Sequence, residues 1–91
     1  MMAVEEVRRA AAAGDLEICS VTAGSSLHVK PRRGASSVCG YVPRSIWTAT
    51  PLPSPAPVCR QCLRQVKRAG YRVVRHSPPG AIVPDVVEPA P

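Results

Sequence analysis

The chain has little of what ordinary hydrophobic cores are made from. It contains no phenylalanine, and its aromatic residues are limited to Tyr41, Trp47 and Tyr71 among 91 residues. Eleven prolines, most of them after residue 42, shorten the part that can fold. A foldable region of this size buries only a marginal core, so we expect a disulfide or a metal ion to stabilise it.

Long apolar stretches are also missing. Residues 1–15 carry Glu5, Glu6, Arg8 and Arg9 and contain no apolar run of the kind that a secretory signal needs. No segment reads as a membrane span either. We therefore expect a cytoplasmic protein that does not contact a membrane. In that reducing compartment four cysteines are more often metal ligands than cystines, whereas secretion would allow three disulfide pairings.

Carboxylates are absent from the middle of the chain. None lies between Glu17 and Asp85, and the net charge of the chain is +6. The basic residues in this stretch are Lys30, Arg32, Arg33, Arg44, Arg60, Arg64, Lys67, Arg68, Arg72 and Arg75. Such a charge distribution favours an acidic partner, either an acidic protein surface or nucleic acid, and we expect no small-molecule substrate. The alternative is that the charge only keeps a small protein soluble.

The most informative feature present is a pair of cysteines two residues apart. Cys59 and Cys62 form a CxxC motif, and with His28 and Cys39 they spell H-x10-C-x19-C-x2-C. Sulfur and imidazole ligands in this number suit one tetrahedral zinc ion. Gly40, directly after Cys39, allows the backbone to wrap around a metal. The sequence therefore predicts a structural zinc site made of these four residues.

Two other side chains compete with His28 as fourth ligand. Cys19 would give an all-sulfur site, although a small buried residue on a first strand is the simpler interpretation. His76 lies at the edge of the predicted tail, where ordering a ligand would be costly. Iron is an alternative to zinc, because cysteine-rich sites accept both metals.

The pattern of residues predicts a small α+β domain. Gly14 and Gly70 are expected to end two helices at residues 3–13 and 60–69. Strands are predicted at residues 17–22, 27–30 and 38–42, which would form a short antiparallel β-meander, and at 71–75. The predicted organisation is a short N-terminal helix at 1–17, a zinc-binding β/α module at 18–76 with a Pro-rich loop at 43–58, and a disordered Pro-rich tail at 77–91.

The second predicted helix has two faces. The cations fall on one face and the apolar side chains on the other. The basic face consists of Arg60, Arg64, Lys67 and Arg68, and the apolar face of Cys62, Leu63, Val66 and Ala69. We expect the basic face to contact an anion or a partner, unless it is merely solvated. Trp47 is expected to pack into the thin core more readily than to stack on a base or fill a partner's pocket.

Three segments of the chain resemble a group of short zinc-binding proteins encoded by actinobacteria and their bacteriophages. They are His28-Val29, Cys39-Gly40 and the run VCRQCLR from Val58 to Arg64. The resemblance covers residues 28–75. It implies a treble-clef-like or zinc-ribbon-like unit with one zinc ion held by the histidine, the Cys-Gly cysteine and the CxxC pair. The Cys19 strand and the Pro-rich tail lie outside this pattern.

Two functions are compatible with these features, and a third is disfavoured. The first is a protein-interaction module, which in the phage context would modulate a host protein in the host cytoplasm. The second is a basic, zinc-ribbon-like accessory that binds nucleic acid. An enzyme is not expected, because a hydrolytic zinc needs a carboxylate base and a thioredoxin-like CxxC needs a βαβ scaffold.

Overall fold

A computed structural model describes residues 1–21, 26–44, 46–49, 56–75 and 85–91. It has two helices and five short strands, all paired antiparallel, so the predicted small α+β class is confirmed. The elements are α1 (Val4–Ala12), β1 (Leu16–Val21), β2 (His28–Pro31), β3 (Trp47–Ala49), α2 (Arg60–Arg68), β4 (Tyr71–Val74) and β5 (Val86–Pro89). Within these residues, no helix has the length and apolar character needed to cross a membrane.

Helix α1 forms where strong helix formers were predicted. Its alanines and arginines favour the helix, Arg8 pairs with Glu5 one turn earlier, and Gly14 ends it with a φ of +67°. Val7 is fully buried and belongs to the main hydrophobic core. The helix is therefore docked through its thin apolar stripe.

The first sheet has three strands in the order β2-β1-β3. Strand β1 is central, with Cys19 opposite His28 on one side and Val21 opposite Trp47 on the other. A meander would have placed β2 in the centre, so the predicted meander is wrong. The third strand also comes from residues 47–49, inside the segment predicted to be an irregular Pro-rich loop.

Residues 38–42, which were predicted as the third strand, instead form a turn. The amide N–H of Ser37 donates to the Tyr41 carbonyl oxygen at 2.9 Å, and the Gly40 N–H donates to Ser37 O at 2.9 Å. Gly40 has a φ of +91°, which a strand does not allow. These local hydrogen bonds override the β-branched residues at both ends of the segment.

The second sheet joins β4 to β5 beyond the end of α2. Gly70, with a φ of +86°, ends the helix, and Val73 lies opposite Val87 in the paired strands. The expected disordered tail is therefore wrong for residues 85–91, because pairing with β4 satisfies their backbone groups and Arg72 forms an ion pair with Glu88. Residues 77–84 of that tail and residues 50–55 of the Pro-rich loop lie outside the described residues.

The main core lies between one face of the first sheet and the two helices. It contains only small and medium-sized apolar side chains, as the composition requires. Its buried members are Val7, Leu16, Leu27, Val29, Val38, Val58, Cys62, Val66 and Ala69. With Leu27 as the largest fully buried side chain, this core contributes little apolar area per residue.

Candidate metal centre

Four side chains with metal-binding atoms converge beside this core. His28, Cys39, Cys59 and Cys62 each offer one such atom, and these atoms lie within 4.8 Å of one another. His28 Nδ1 is 3.6 Å from Cys62 Sγ and 3.8 Å from Cys39 Sγ. With bond lengths of about 2.3 Å to sulfur and about 2.05 Å to nitrogen, a tetrahedral zinc site puts such a pair about 3.6 Å apart. The group can therefore hold a metal ion.

Strand β2 places His28 next to the CxxC motif through the residue before it. The Leu27 N–H donates to Pro57 O at 2.8 Å, and the Cys59 N–H donates to Leu27 O at 2.8 Å. This pair of bonds forms a parallel bridge between Leu27 and Val58. Because Leu27 is buried, its neighbour His28 points to the opposite face of the strand, as predicted.

The residue after His28 places Cys39 in the same way. The Val38 N–H donates to Val29 O at 2.8 Å, which fixes the turn that carries Cys39 beside the strand. A side chain at Gly40 would meet the backbone nitrogen of Met1 at 2.6 Å, so the turn needs glycine for space as well as for its positive φ. The two backbone neighbours of His28 thus bring the other ligand-bearing segments to it.

Ser37 is a component of the site that sequence reasoning missed. It is fully buried, its Oγ accepts the Tyr41 N–H at 3.1 Å, and the same Oγ lies 2.9 Å from Cys39 Sγ. Because the backbone N–H occupies it as an acceptor, the hydroxyl proton is available for a Cys39 thiolate. Outer groups of this kind orient metal ligands. Its position two residues before a Cys-Gly pair was the only available signal.

Helix α2 begins directly at the CxxC motif. Cys59 is the residue preceding the helix, and its carbonyl accepts the Leu63 N–H at 3.0 Å. Cys62 lies in the first turn, is fully buried and donates its thiol to Val29 O at 3.9 Å. Both cysteines of the motif therefore lie at the N-terminal end of α2, which is the positive end of the helix dipole.

The thiols of the cluster differ in acidity. Burial raises the pKa of Cys62 to about 12, and the nearby sulfurs of Cys39 and Cys59 add to this shift against the Val29 hydrogen bond. Burial also opposes ionisation of Cys39, but hydrogen bonds from Ser37 and from the Tyr41 backbone, together with the other two cysteines, hold its pKa below the usual value. A cation that binds here must displace the Cys62 proton, which makes binding pH-dependent.

The imidazole of His28 is oriented by aromatic rings. Its ring stacks on Tyr41 with centroids 4.7 Å apart, and Trp47 meets it edge-on at 5.9 Å. Burial lowers the pKa of His28, which favours the neutral form that ligates metals. Trp47 is half-buried, and its Nε1–H donates to Ala35 O at 2.9 Å. It lies beside the site but is neither a member of the main core nor one of the described side chains packed against it, so the expectation that Trp47 packs into the core is wrong.

The two competing ligands are placed differently. Cys19 is buried opposite His28, but among the described residues only the other three cysteines join the histidine in a possible metal group. Burial and a hydrogen bond to Glu17 raise the pKa of Cys19 to about 11. His76 lies outside the described residues. The structure thus brings together the four predicted ligands and leaves Cys19 apart from them.

The basic face of α2 points outward, as predicted. Arg60, Arg64, Lys67 and Arg68 are all exposed. The apolar face differs in one position, because Leu63 is 39% exposed and Gln65 is buried in its place, donating to Met2 O at 2.9 Å.

Comparison with known protein families, with curated proteins and with solved structures yields no match. What the site can do chemically therefore has to follow from its residues and their geometry.

Proposed function

We propose that the protein is a small structural-zinc module that acts in protein interaction through the exposed basic face of α2. The observation that carries the metal assignment is the convergence of three sulfurs and one imidazole nitrogen within 4.8 Å. Soft sulfur ligands combined with imidazole favour zinc, and four protein ligands leave no open position for a substrate. We infer that the metal is accordingly structural and that the protein is not an enzyme.

The composition of the core supports a structural role for the ion. Cys62 is itself a member of the buried core, and its neighbours there are small. A structural zinc ion adds on the order of 10 kcal/mol to the stability of a domain that can form the site. The resemblance to short zinc-binding actinobacterial and phage proteins fits this assignment, and with it a treble-clef-like or zinc-ribbon-like unit and, if the gene is phage-borne, a host protein as the target.

The interaction role rests on how the charges are paired. Four cations of the basic middle are neutralised by the acidic ends: Lys30 and Arg32 by Glu17, Arg72 by Glu88, and Arg75 by Asp85. All six carboxylates of the chain belong to described residues, and none of them pairs with Arg60, Arg64, Lys67 or Arg68. The basic face of α2 thus remains open to an external acidic group.

Nucleic acid is the second candidate, because the same exposed face also fits phosphates. A nucleic-acid function predicts that affinity falls steeply with added salt and that oligonucleotides bind more tightly than acidic peptides of equal charge. A protein-interaction function predicts the reverse order of affinity.

Metal analysis of protein purified without oxygen tests the metal assignment. We expect one zinc ion per chain, lost in Cys62→Ala and His28→Ala and retained in the matched control Cys19→Ala, which also removes a buried thiol. His76→Ala should retain the ion as well. Loss of metal in Cys19→Ala together with retention in His28→Ala would replace His28 by Cys19, and iron in place of zinc would change the cofactor.

A further inference from the structure

Two large apolar side chains are exposed beside the four-residue cluster. Leu63 follows the fully buried Cys62 and is 39% exposed, and Tyr41 lies two residues after Cys39 and is 41% exposed. Since Cys39 and Cys62 converge on one cluster, the two chain segments that carry these apolar residues meet there. We call His28, together with residues 37–41 and 59–67, the cluster end.

Cations surround Leu63 on the helix surface. Residues three and four positions apart are neighbours on a helix, so Arg60 and Lys67 flank Leu63 along its row, and Arg64 follows it. All three cations are exposed. None of the carboxylates, which all lie in the described parts of the chain, forms an ion pair with them. Leu63 is thus an apolar spot inside a positively charged rim.

The cations on this face weaken the helix slightly, and the exposed leucine adds little to the core. Like charges four residues apart destabilise a helix by about 0.2–0.5 kcal/mol per pair, and an exposed leucine contributes only part of its apolar area to the core. Protein interfaces, by contrast, combine a central apolar anchor with a polar rim that excludes water. The cluster end of this protein has that arrangement.

We propose that the cluster end binds an acidic protein segment that seats an apolar side chain against Leu63 and carboxylates against Arg60, Arg64 and Lys67. This inference rests on the proposed function and names its partner class. Charge complementarity selects the acidic character of the segment. The exposed leucine selects a segment that also carries an apolar residue.

Nucleic acid would complement the cations of the cluster end but not its exposed leucine. Phosphates match the cations, but a nucleic-acid backbone has no apolar side chain for Leu63. The two rings at this end already have partners within the protein, because Tyr41 stacks on His28 and Lys30 Nζ lies over the Trp47 ring, 5.9 Å from its centroid. An acidic segment with an apolar residue accounts for both the charges and the leucine.

The test compares three labelled probes by fluorescence anisotropy with the zinc-loaded full chain. The first is a glutamate-rich peptide of about four helical turns with leucines on one face, and the second is the same peptide with serines in place of the leucines. The third is an oligonucleotide of equal charge. We expect the leucine peptide to bind tightest and the serine peptide about tenfold more weakly.

Two substitutions with matched controls locate the binding face. Leu63→Gln should weaken binding of the leucine peptide about tenfold and leave the serine peptide nearly unchanged, while Val86→Thr, an exposed apolar position on β5, should affect neither. Arg64→Gln should weaken both peptides, and Arg9→Gln, an exposed arginine of α1, should have no effect. Zinc content and circular dichroism of every variant establish that it is folded.

Each contrary result has its own meaning. Equal binding of the two peptides, with dependence on Arg64, would overturn the apolar anchor while leaving an acidic protein partner in place. Tighter binding of the oligonucleotide would overturn the acidic segment and the protein-interaction function together. Folded, zinc-loaded protein that binds none of the probes would overturn the anchor proposal without touching the metal assignment.

Discussion

At the cluster end, three chain segments distant in sequence bring four metal-binding side chains together. Strands β4 and β5 instead meet through a regular ladder, with the ion pair Arg72–Glu88 across them and the more buried pair Arg75–Asp85 at one end. The first region adds Val38, Cys62 and Val66 to the main core, and its metal-binding atoms can hold a cation once the thiols have lost their protons. The second needs only backbone pairing, valine contacts and ion pairs, of which Arg72–Glu88 is the more exposed. The first should therefore respond to chelators, and the second to ionic strength.

Removal of the metal should give the largest effect. Incubation with a strong chelator should unfold residues 28–75, because the binding energy of on the order of 10 kcal/mol is also folding energy. Far-UV circular dichroism, recorded with metal content on the same sample, measures the loss. Circular dichroism that stays unchanged after verified metal removal would mean that the cluster end is held by packing, as the β4–β5 sheet is.

A glycine in each region allows a matched comparison of backbone requirements. Gly40 and Gly70 have φ values of +91° and +86°, but a Cβ at Gly40 would meet Met1 N at 2.6 Å, while at Gly70 nothing lies within 4 Å. We expect Gly70→Ala to cost about 1 kcal/mol and Gly40→Ala about 3 kcal/mol in free energy of unfolding. Denaturant titrations measure both. Equal losses would show that Met1 moves aside freely.

A substitution at Ser37 tests whether metal binding at the cluster end depends on groups other than the four candidate ligands. Ser37→Ala removes the hydroxyl 2.9 Å from Cys39 Sγ and should weaken zinc binding about 10–100-fold, as outer groups around metal sites typically do. The adjacent Ser36→Ala serves as control. Competition with a chromophoric chelator measures the affinity, and the absorption spectrum of the cobalt-substituted protein reports on the geometry around Cys39. Identical affinities for the two variants would assign Ser37 to the turn alone.

The smallest expected losses of stability come from two ion pairs, one buried and one more exposed. Lys30 is nearly fully buried and donates to Glu17, which is 29% exposed, and to two carbonyl oxygens. The side chains of the Arg72–Glu88 pair are 54% and 38% exposed. Glu17→Gln should cost about 1.5 kcal/mol of unfolding free energy, and Glu88→Gln less than about 1 kcal/mol. High salt should abolish only the second loss.

The pH dependence of this comparison has a defined sign. Burial opposes ionisation of Glu17, but Lys30, Cys19 and Arg32 together lower its pKa in the folded protein. A lowered carboxyl pKa adds stability above the unfolded value, and this contribution is lost as pH falls through the folded value. The difference between wild type and Glu17→Gln should therefore shrink in acid. A difference that is constant down to pH about 3 would contradict the ion pair.

Local signals predicted the elements that depend on neighbouring residues. Both helices end at the predicted glycines, since a positive φ stops a helix wherever it occurs. The basic face of α2 follows directly from the helical repeat. The four clustered ligands follow from residue type and spacing, because the CxxC pair reaches one point through a single turn. The resemblance to zinc-binding actinobacterial and phage proteins stays a prediction.

Features that depend on distant partners escaped prediction. Residues 38–42 carry strand-forming residues, but the segment forms a turn that is fixed by other parts of the chain: the Val38 N–H donates to Val29 O, and the Met2 N–H donates to Val38 O. Gln65 is buried in place of Leu63 because its amide reaches Met2 O, which lies far away in the sequence. Strand β5 forms in a proline-rich tail because β4 presents a matching edge.

The amino-acid sequence by itself determined the thin core, the basic middle of the chain, the two helices and the set of candidate ligands, since each depends on residue type and short spacing. Only the tertiary structure decided that β1 is the central strand, that Ser37 lies against Cys39, that the acidic ends neutralise part of the basic middle, and that Leu63 stays exposed among cations. These features arise from contacts between segments far apart in the chain, and no local propensity specifies which segments will meet.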